Sequence, residues 1–222
     1  MQDTAISPAV ENYLKEIYLL QTKTGAPVAT SQLADRLRVA PASVTGMVER
    51  LAREGLVEHV RYRGAHLTDE GRRAALRVVR RHRLLESFLV SDLGMGWEEV
   101  HEEAEALEHA VSERLLEAIA AKLGDPARDP HGDPIPSADL EIDEADAISL
   151  DRLPVGTSGR LVRILDAEAD LLAYLDDLGI SLGDDVQVLA LEPFGGSFTV
   201  SIAGRTHSLG RLAAAALSIE TE

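Results

Sequence analysis

Between residues 8 and 23 the apolar positions Val10, Tyr13, Leu14, Ile17, Tyr18 and Leu20 recur at the spacing of one α-helical face, and Gly25 and Pro27 end the run. Residues 30–39 (TSQLADRLRV) predict a short second helix in which Thr30 and Ser31 supply capping hydroxyls and Leu33, Ala34 and Leu37 share a face. A third helix is predicted from Pro41, which a first helical turn tolerates, to Gly55, with Val44, Met47, Val48 and Leu51 turned inward. Residues 56–71 then alternate apolar and polar side chains around the Arg63-Gly64 turn, as a two-stranded ribbon would. Two short helices across a tight turn, followed by such a ribbon, predict a winged helix-turn-helix.

Helical periodicity resumes from Arg72 to Leu123, with Val79, Leu84, Leu85, Phe88 and Leu89 among its apolar positions and a break near Gly94-Met95-Gly96. Residues 124–138 are dense in proline, glycine and aspartate and read as an extended loop, followed by an acidic linker. The remainder changes to strand-like runs (GRLVRIL, DDVQVLAL, SFTVSIAG and AALSIET) between glycine turns, with one helical piece near residues 168–178. Closure into a small barrel would remove free strand edges. The expected fold class is mainly α with small β, arranged as a winged helix over 1–72, a helical domain over 73–143 and a small barrel over 152–222.

Absence of cysteine excludes disulfides and thiolate metal sites, so a bound metal has to be held by oxygen and imidazole nitrogen, donors suited to hard or borderline ions. No stretch of about 18 apolar residues and no basic leader occurs, which predicts a soluble cytoplasmic protein that does not enter membranes. The net charge of -16 is unevenly spread: residues 1–83 carry 14 Lys/Arg against 9 Asp/Glu (+5), leaving 8 against 29 (-21) for the rest. Attraction to phosphate is local under physiological screening, so the basic front end is compatible with DNA contact despite the acidic body.

Two constellations carry candidate chemistry. His101, Glu105, Glu108 and His109 follow at offsets of four, three and one, which would place two imidazoles and two carboxylates on one face if the helix ran through them. His82 and Glu86, at i and i+4, form a second such face. Apposed, these six residues form a divalent-metal set. A lone His-Glu pair would be read as a solvated acidic helix. No HExxH arrangement, nucleophile elbow or phosphate loop is present, so the residues point to regulation and not to an enzyme. In the third predicted helix, Ala42, Ser43, Thr45 and Gly46, just after Pro41, occupy the part that meets base edges in the major groove. Arg50 and Arg63, with the hydroxyls of Thr30 and Ser31, suit phosphate contact. Small base-facing side chains leave specificity to DNA shape and to a dimer reading two half-sites. A winged helix serving only protein contacts is the rival reading.

Taken in order, ENYLKEIYLL, ADRLRVAPASVTGMVERLAREGLV, YRGAHLTDEG, RRHRLLESFL, HEEAEALEH and PHGDPIP resemble the diphtheria-toxin-repressor family of metal-dependent regulators along most of the chain. The resemblance implies a homodimer on a palindromic DNA operator, with a winged helix, a helical dimerisation and metal-binding domain, and an SH3-like barrel. It implies that His82, Glu86 and His101 hold one metal, and that Asn12, Glu105, Glu108 and His109 hold the other. A carboxylate at Glu105, where iron-responsive members carry cysteine, implies Mn(II), a harder ion than a thiolate favours, with Fe(II) the alternative. At the first ligand position Glu11 competes with Asn12. Asp166 is the candidate supplementary ligand from the barrel, with Glu168 and Asp170 as rivals; Arg163 takes that position in another register. His59, His66, His131 and His207 are read as surface or unassigned residues. The resulting expectation is a Mn(II)-activated repressor of metal-homeostasis genes. Its alternatives are an Fe(II)-responsive repressor of iron uptake and a di-metal enzyme or storage protein.

Overall fold

The computed structural model describes residues 6–60, 64–143, 146–165 and 169–221, and the predicted site residues Arg63 and Asp166 lie outside these. The chain divides into two compact units. The first comprises Met1–His82, Glu108–Val111 and Pro136–Glu141, and the second Arg83–Leu107, Ser112–Ile135 and Ile142–Glu222.

In the first unit, α1 (Pro8–Thr24) opens on proline and is closed by Gly25, whose φ of 64° is a left-handed conformation that glycine adopts without penalty. Val10, Tyr13, Leu14, Ile17 and Tyr18 are buried as the periodicity predicts. α2 (Thr30–Leu37) departs from its predicted start. Its cap is Ala29, whose N–H donates to Gln32 Oε1 at 3.0 Å, so Thr30 and Ser31 lie inside the first turn and do not cap it. α3 (Pro41–Arg53) buries Val44, Val48 and Leu51, leaving Met47 half-buried. β1 (Val57–Val60) and β2 (Gly64–Leu67) pair antiparallel, and Val28 adds a bridge to Ala65 through bonds of 2.8 and 2.9 Å. Gly64 is obligatory in this wing: its φ is 111°, and a Cβ there would lie 1.9 Å from the Val28 carbonyl oxygen. α4 (Asp69–Leu93) begins in this unit and continues into the second.

The second unit contains the rest of α4, then α5 (Val100–Leu107) and α6 (Glu113–Leu123). Ser112 caps α6, its Oγ accepting the Leu115 N–H at 3.3 Å, and Gly124 ends it at φ 77°. Strands β3 (Ile148–Ser149), β4 (Ser158–Ile164), β5 (Asp185–Leu191), β6 (Phe198–Ile202), β7 (Arg205–Leu209) and β8 (Leu217–Thr221) form one antiparallel sheet in the order β3-β8-β4-β5-β6-β7. Register shifts between Leu161 and Arg163 and between Val188 and Ala190 are bulges, which bend strands. The sheet surrounds a core that includes Leu161, Ile164, Leu172, Phe198 and Leu217, in the SH3-like manner expected. α7 (Ala169–Asp177) is the predicted helical piece. α8 (Arg211–Ala216) is a correction: Ala215 and Ala216 read as strand, but the alanine run, intrinsically helical, turns once before β8 begins. Among the described residues no helix is long and apolar enough to cross a membrane.

Candidate metal centre

In the first unit, α1, the middle of α4 at Arg81 and His82, and the segment 108–111 converge. Asn12 Oδ1 lies 2.6 Å from His109 Nε2, and Glu11 Oε2 lies 2.6 Å from His109 Nδ1. The predicted ligand positions Asn12 and His109 thus meet directly, whereas Glu11 sits behind the ring. With Nδ1–H donating to Glu11, Nε2 faces Asn12, an arrangement that fixes the orientation of ligating imidazoles. Glu11 is held in turn by Arg81, 2.6 Å from its Oε1, and the same guanidinium donates to the Glu108 carbonyl at 3.2 Å. Glu108 is 1% exposed. Its Oε2 is 2.7 Å from His82 Nδ1, its Oε1 is 2.7 Å from Lys15 Nζ, and Oε1 lies 3.4 Å from His109 Nε2. Burial by itself would raise the Glu108 carboxyl; the hydrogen bond with His82 and the charge of Lys15 outweigh it and hold the group below the usual carboxylate range.

Grouping within this face differs from the expected one. α5 stops at Leu107, so Glu108 and His109 lie in a turn and not on the helical face of His101 and Glu105. Ser112 was the available signal, because a cap there requires the preceding helix to have ended. His82, on the sequence reading a partner of Glu86 and His101, stands one turn before Glu86 on α4 and also has Nδ1 2.7 Å from Glu108 Oε2.

The second unit gathers another set. Glu86, 2% exposed, lies with Oε1 3.2 Å from His101 Nδ1 and Oε2 3.8 Å from His131 Nδ1. Glu105 lies 3.7 Å from His101 Nε2. Glu86, Asp129 and His131, all buried, offer ligand atoms within 4.8 Å of one another. This corrects the reading of His131 as a surface residue: it is 3% exposed, and its ring stacks on Trp97 at a centroid distance of 6.2 Å. The loop is buried because its polar backbone is satisfied internally. Arg83 donates to the Pro134 carbonyl, Arg128 donates to Gly132, and Asp129 Oδ1 accepts the N–H groups of His131 and Asp133. Burial foremost, then the neighbouring Asp133 and Glu86 carboxylates, push Asp129 up to about 7 against the opposing charges of Arg83 and His131. A divalent cation would offset that clustered charge. Both sets consist of oxygen and imidazole donors, the chemistry that a cysteine-free metal centre requires.

On α3, Pro41, Ala42, Ser43, Thr45 and Gly46 are all exposed, in contrast to the buried Val44 and Val48 beside them. Arg50 is exposed and paired with Glu54 at 2.8 Å; Ser31 is exposed and Thr30 half-buried.

Three family models match the chain in succession: the N-terminal DNA-binding domain of iron-dependent repressors over residues 5–65, their metal-binding and dimerisation domain over 68–137, and the FeoA domain over 148–221. The iron-dependent repressor IdeR of Mycobacterium tuberculosis is 33% identical over 209 residues, covering 89% of this chain and 90% of its own length. The chain belongs to the diphtheria-toxin-repressor family. The diphtheria toxin repressor of Corynebacterium glutamicum is 32% identical over 81% of this chain and 82% of its own. A solved structure described as a manganese-dependent transcriptional repressor in complex with manganese is 46% identical, covers 96% of this chain and 100% of that one, and superposes with a TM-score of 0.91.

As a member of this family the chain is a metal-dependent, DNA-binding transcriptional repressor that dimerises, and not an enzyme. Within it, Asn12 belongs to the DNA-binding match and His109 to the metal-binding match, so their 2.6 Å contact joins the two parts of the repressor. Sequence reasoning missed Lys15, Arg81, Asp129 and His131. Lys15 carried little signal, since at i+3 from Asn12 and i+4 from Glu11 it lies on the polar side of α1 and leaves the apolar spacing unbroken.

Proposed function

We propose that this repressor is cytoplasmic, controls metal-homeostasis genes and is activated by Mn(II). Asn12, His82, Glu108 and His109 are the ligands of one ion. Glu86, His101, Asp129 and His131 form the second set, and Glu105 supplies a further carboxylate oxygen. Asp166, after β4, remains the candidate supplementary ligand. Glu11 and Arg81 orient His109 and the 108–109 backbone. One observation carries the reading: α1 touches the metal-binding segment through Asn12 and, four residues further along, touches the helix-turn-helix through Glu16, whose Oε2 is 2.9 Å from Arg36 Nε on α2. An ion shared by Asn12 and His109 fixes α1, and α1 fixes the presentation of α2 and α3. Metal is a switch because it binds the DNA-competent arrangement better than the alternative. Thr30, Ser31, Arg50 and Arg63 contact phosphates, while the exposed face from Pro41 to Gly46 enters the major groove of a palindromic operator.

Manganese is favoured by the all-oxygen-and-nitrogen donor set and by likeness to the manganese-bound relative. The test is fluorescence anisotropy on the DNA upstream of its own and neighbouring transporter genes with Mn(II), Fe(II), Zn(II) or chelator. Mn(II) is expected to raise affinity well above the chelator value; equal affinity in chelator and in every metal refutes the switch. In the same assay Glu105→Cys is expected to shift preference from Mn(II) towards Fe(II), and an unchanged order removes Glu105 from the selectivity argument.

A further inference from the structure

We propose that Lys15 is a tethered counter-cation of the Asn12–Glu108–His109 site: its ammonium holds the place of positive charge at Glu108 in the metal-free repressor and sets how much free Mn(II) is needed to displace it. The inference rests on the metal reading of that site.

Lys15 is 4% exposed, an expensive position for an ammonium unless a carboxylate compensates it. The compensating group is Glu108 Oε1, 2.7 Å away, the same oxygen that lies 3.4 Å from His109 Nε2. Lys15 therefore uses the carboxylate oxygen turned towards His109, while Oε2 is engaged by His82. On α1, Lys15 stands four residues after Glu11 and three after Asn12, so all three share one face. Charges within this cluster are matched in pairs, Arg81 with Glu11 at 2.6 Å and Lys15 with Glu108 at 2.7 Å, and Asn12 is neutral. A divalent ion entering such a cluster meets little surplus negative charge. Of the two cations Arg81 is fixed, bridging Glu11 and the Glu108 carbonyl with its planar fork. Lys15 is a compact charge on a flexible stem, so it is the one that yields. Metal replaces it at Oε1 as a cation.

The experiment is calorimetric titration of metal-free protein with Mn(II), without DNA, in a Glu86→Gln background that silences the second set. Lys15→Met, which removes the charge at similar length, is expected to lower the Kd of the remaining site on the order of tenfold to a hundredfold, and Lys15→Arg to leave it near the parent value. The metal-free Lys15→Met protein is expected to melt at lower temperature than the parent and to recover in Mn(II). Should the Met variant not fold without metal, Lys15→Gln keeps a donor to Glu108 without the charge and is expected to shift Kd in the same direction. A purely structural lysine would lower stability without tightening Mn(II) binding. Unchanged or weaker binding in a folded neutral variant, or equal tightening in the Arg variant, overturns the proposal. His109→Ala in the same background distinguishes the two failures: if it leaves Mn(II) binding intact, the assignment of the site itself is wrong, whatever Lys15 does.

Discussion

At the scale of residues, the two clusters make separable predictions. Asn12 is the proposed ligand from the DNA-binding segment, and its amide oxygen meets His109 at 2.6 Å. Asn12→Ala is expected to leave Mn(II) bound through the second set but to bring DNA affinity in Mn(II) close to that in chelator; retained activation would show that α1 is coupled by other contacts. Asp129 bears on pH. Its carboxyl lies up near 7 in the folded metal-free protein against an ordinary 3.8, so between those values the folded state holds a proton that the unfolded chain has lost. Its contribution is most favourable below the ordinary value, and stability falls as pH rises through about 7. Thermal melts in chelator are expected to show this decline, and Asp129→Asn to flatten it. An identical slope in the variant would assign the effect elsewhere. Glu86, His101 and His109 were legible from i, i+4 and neighbouring spacings. Asp129 and His131 were not, because aspartate, histidine, proline and glycine in a loop have the same composition whether water or arginine satisfies the backbone.

Elements show which physical signals reach the sequence. Apolar periodicity predicted α1, α3 and α4, since burial of one face is written into residue spacing. The end of α5 at Leu107 breaks no apolar pattern and involves no glycine or proline, so the helical reading ran on through His109. The buried loop 129–135 depends on one close approach: Gly132 has φ 85°, and a Cβ there would lie 2.1 Å from the Val162 carbonyl oxygen on β4, while the Ile164 N–H donates to the His131 carbonyl at 2.9 Å. Gly132→Ala is expected to destabilise the protein by about 2 kcal/mol or more, from strain at positive φ and backbone overlap. The chain's single tryptophan, Trp97, accepts from His131 Nε2 through its carbonyl at 3.0 Å and stacks on the ring. Its emission therefore reports the loop: the wild type is expected to change on Mn(II) addition and the Gly132 variant to lose that response. A normal response at normal stability would mean that the backbone accommodates the methyl group.

For the whole molecule the governing quantity is charge. A net -16 opposes approach to DNA, yet the first 83 residues carry +5 and contain the helix-turn-helix. Binding is then a contest between local phosphate neutralisation and longer-range repulsion from the acidic remainder. Salt weakens the first through counterion release and screens the second, whose range is about 8 Å at physiological ionic strength. For a protein without the acidic body, log affinity falls steadily with log salt. Here repulsion is strongest at low salt, so the plot of log Kd against log salt for the Mn(II)-loaded repressor is expected to be shallower at low salt and to steepen above physiological strength. Arg50, exposed and held by a surface pair with Glu54, is the cleanest probe of the phosphate part. Arg50→Ala is expected to reduce the slope by about 1 at every sequence tested, because a phosphate contact positions the protein without reading bases. A change that differs between operator and unrelated DNA would place Arg50 at a base edge, and an unchanged slope would remove it from the interface.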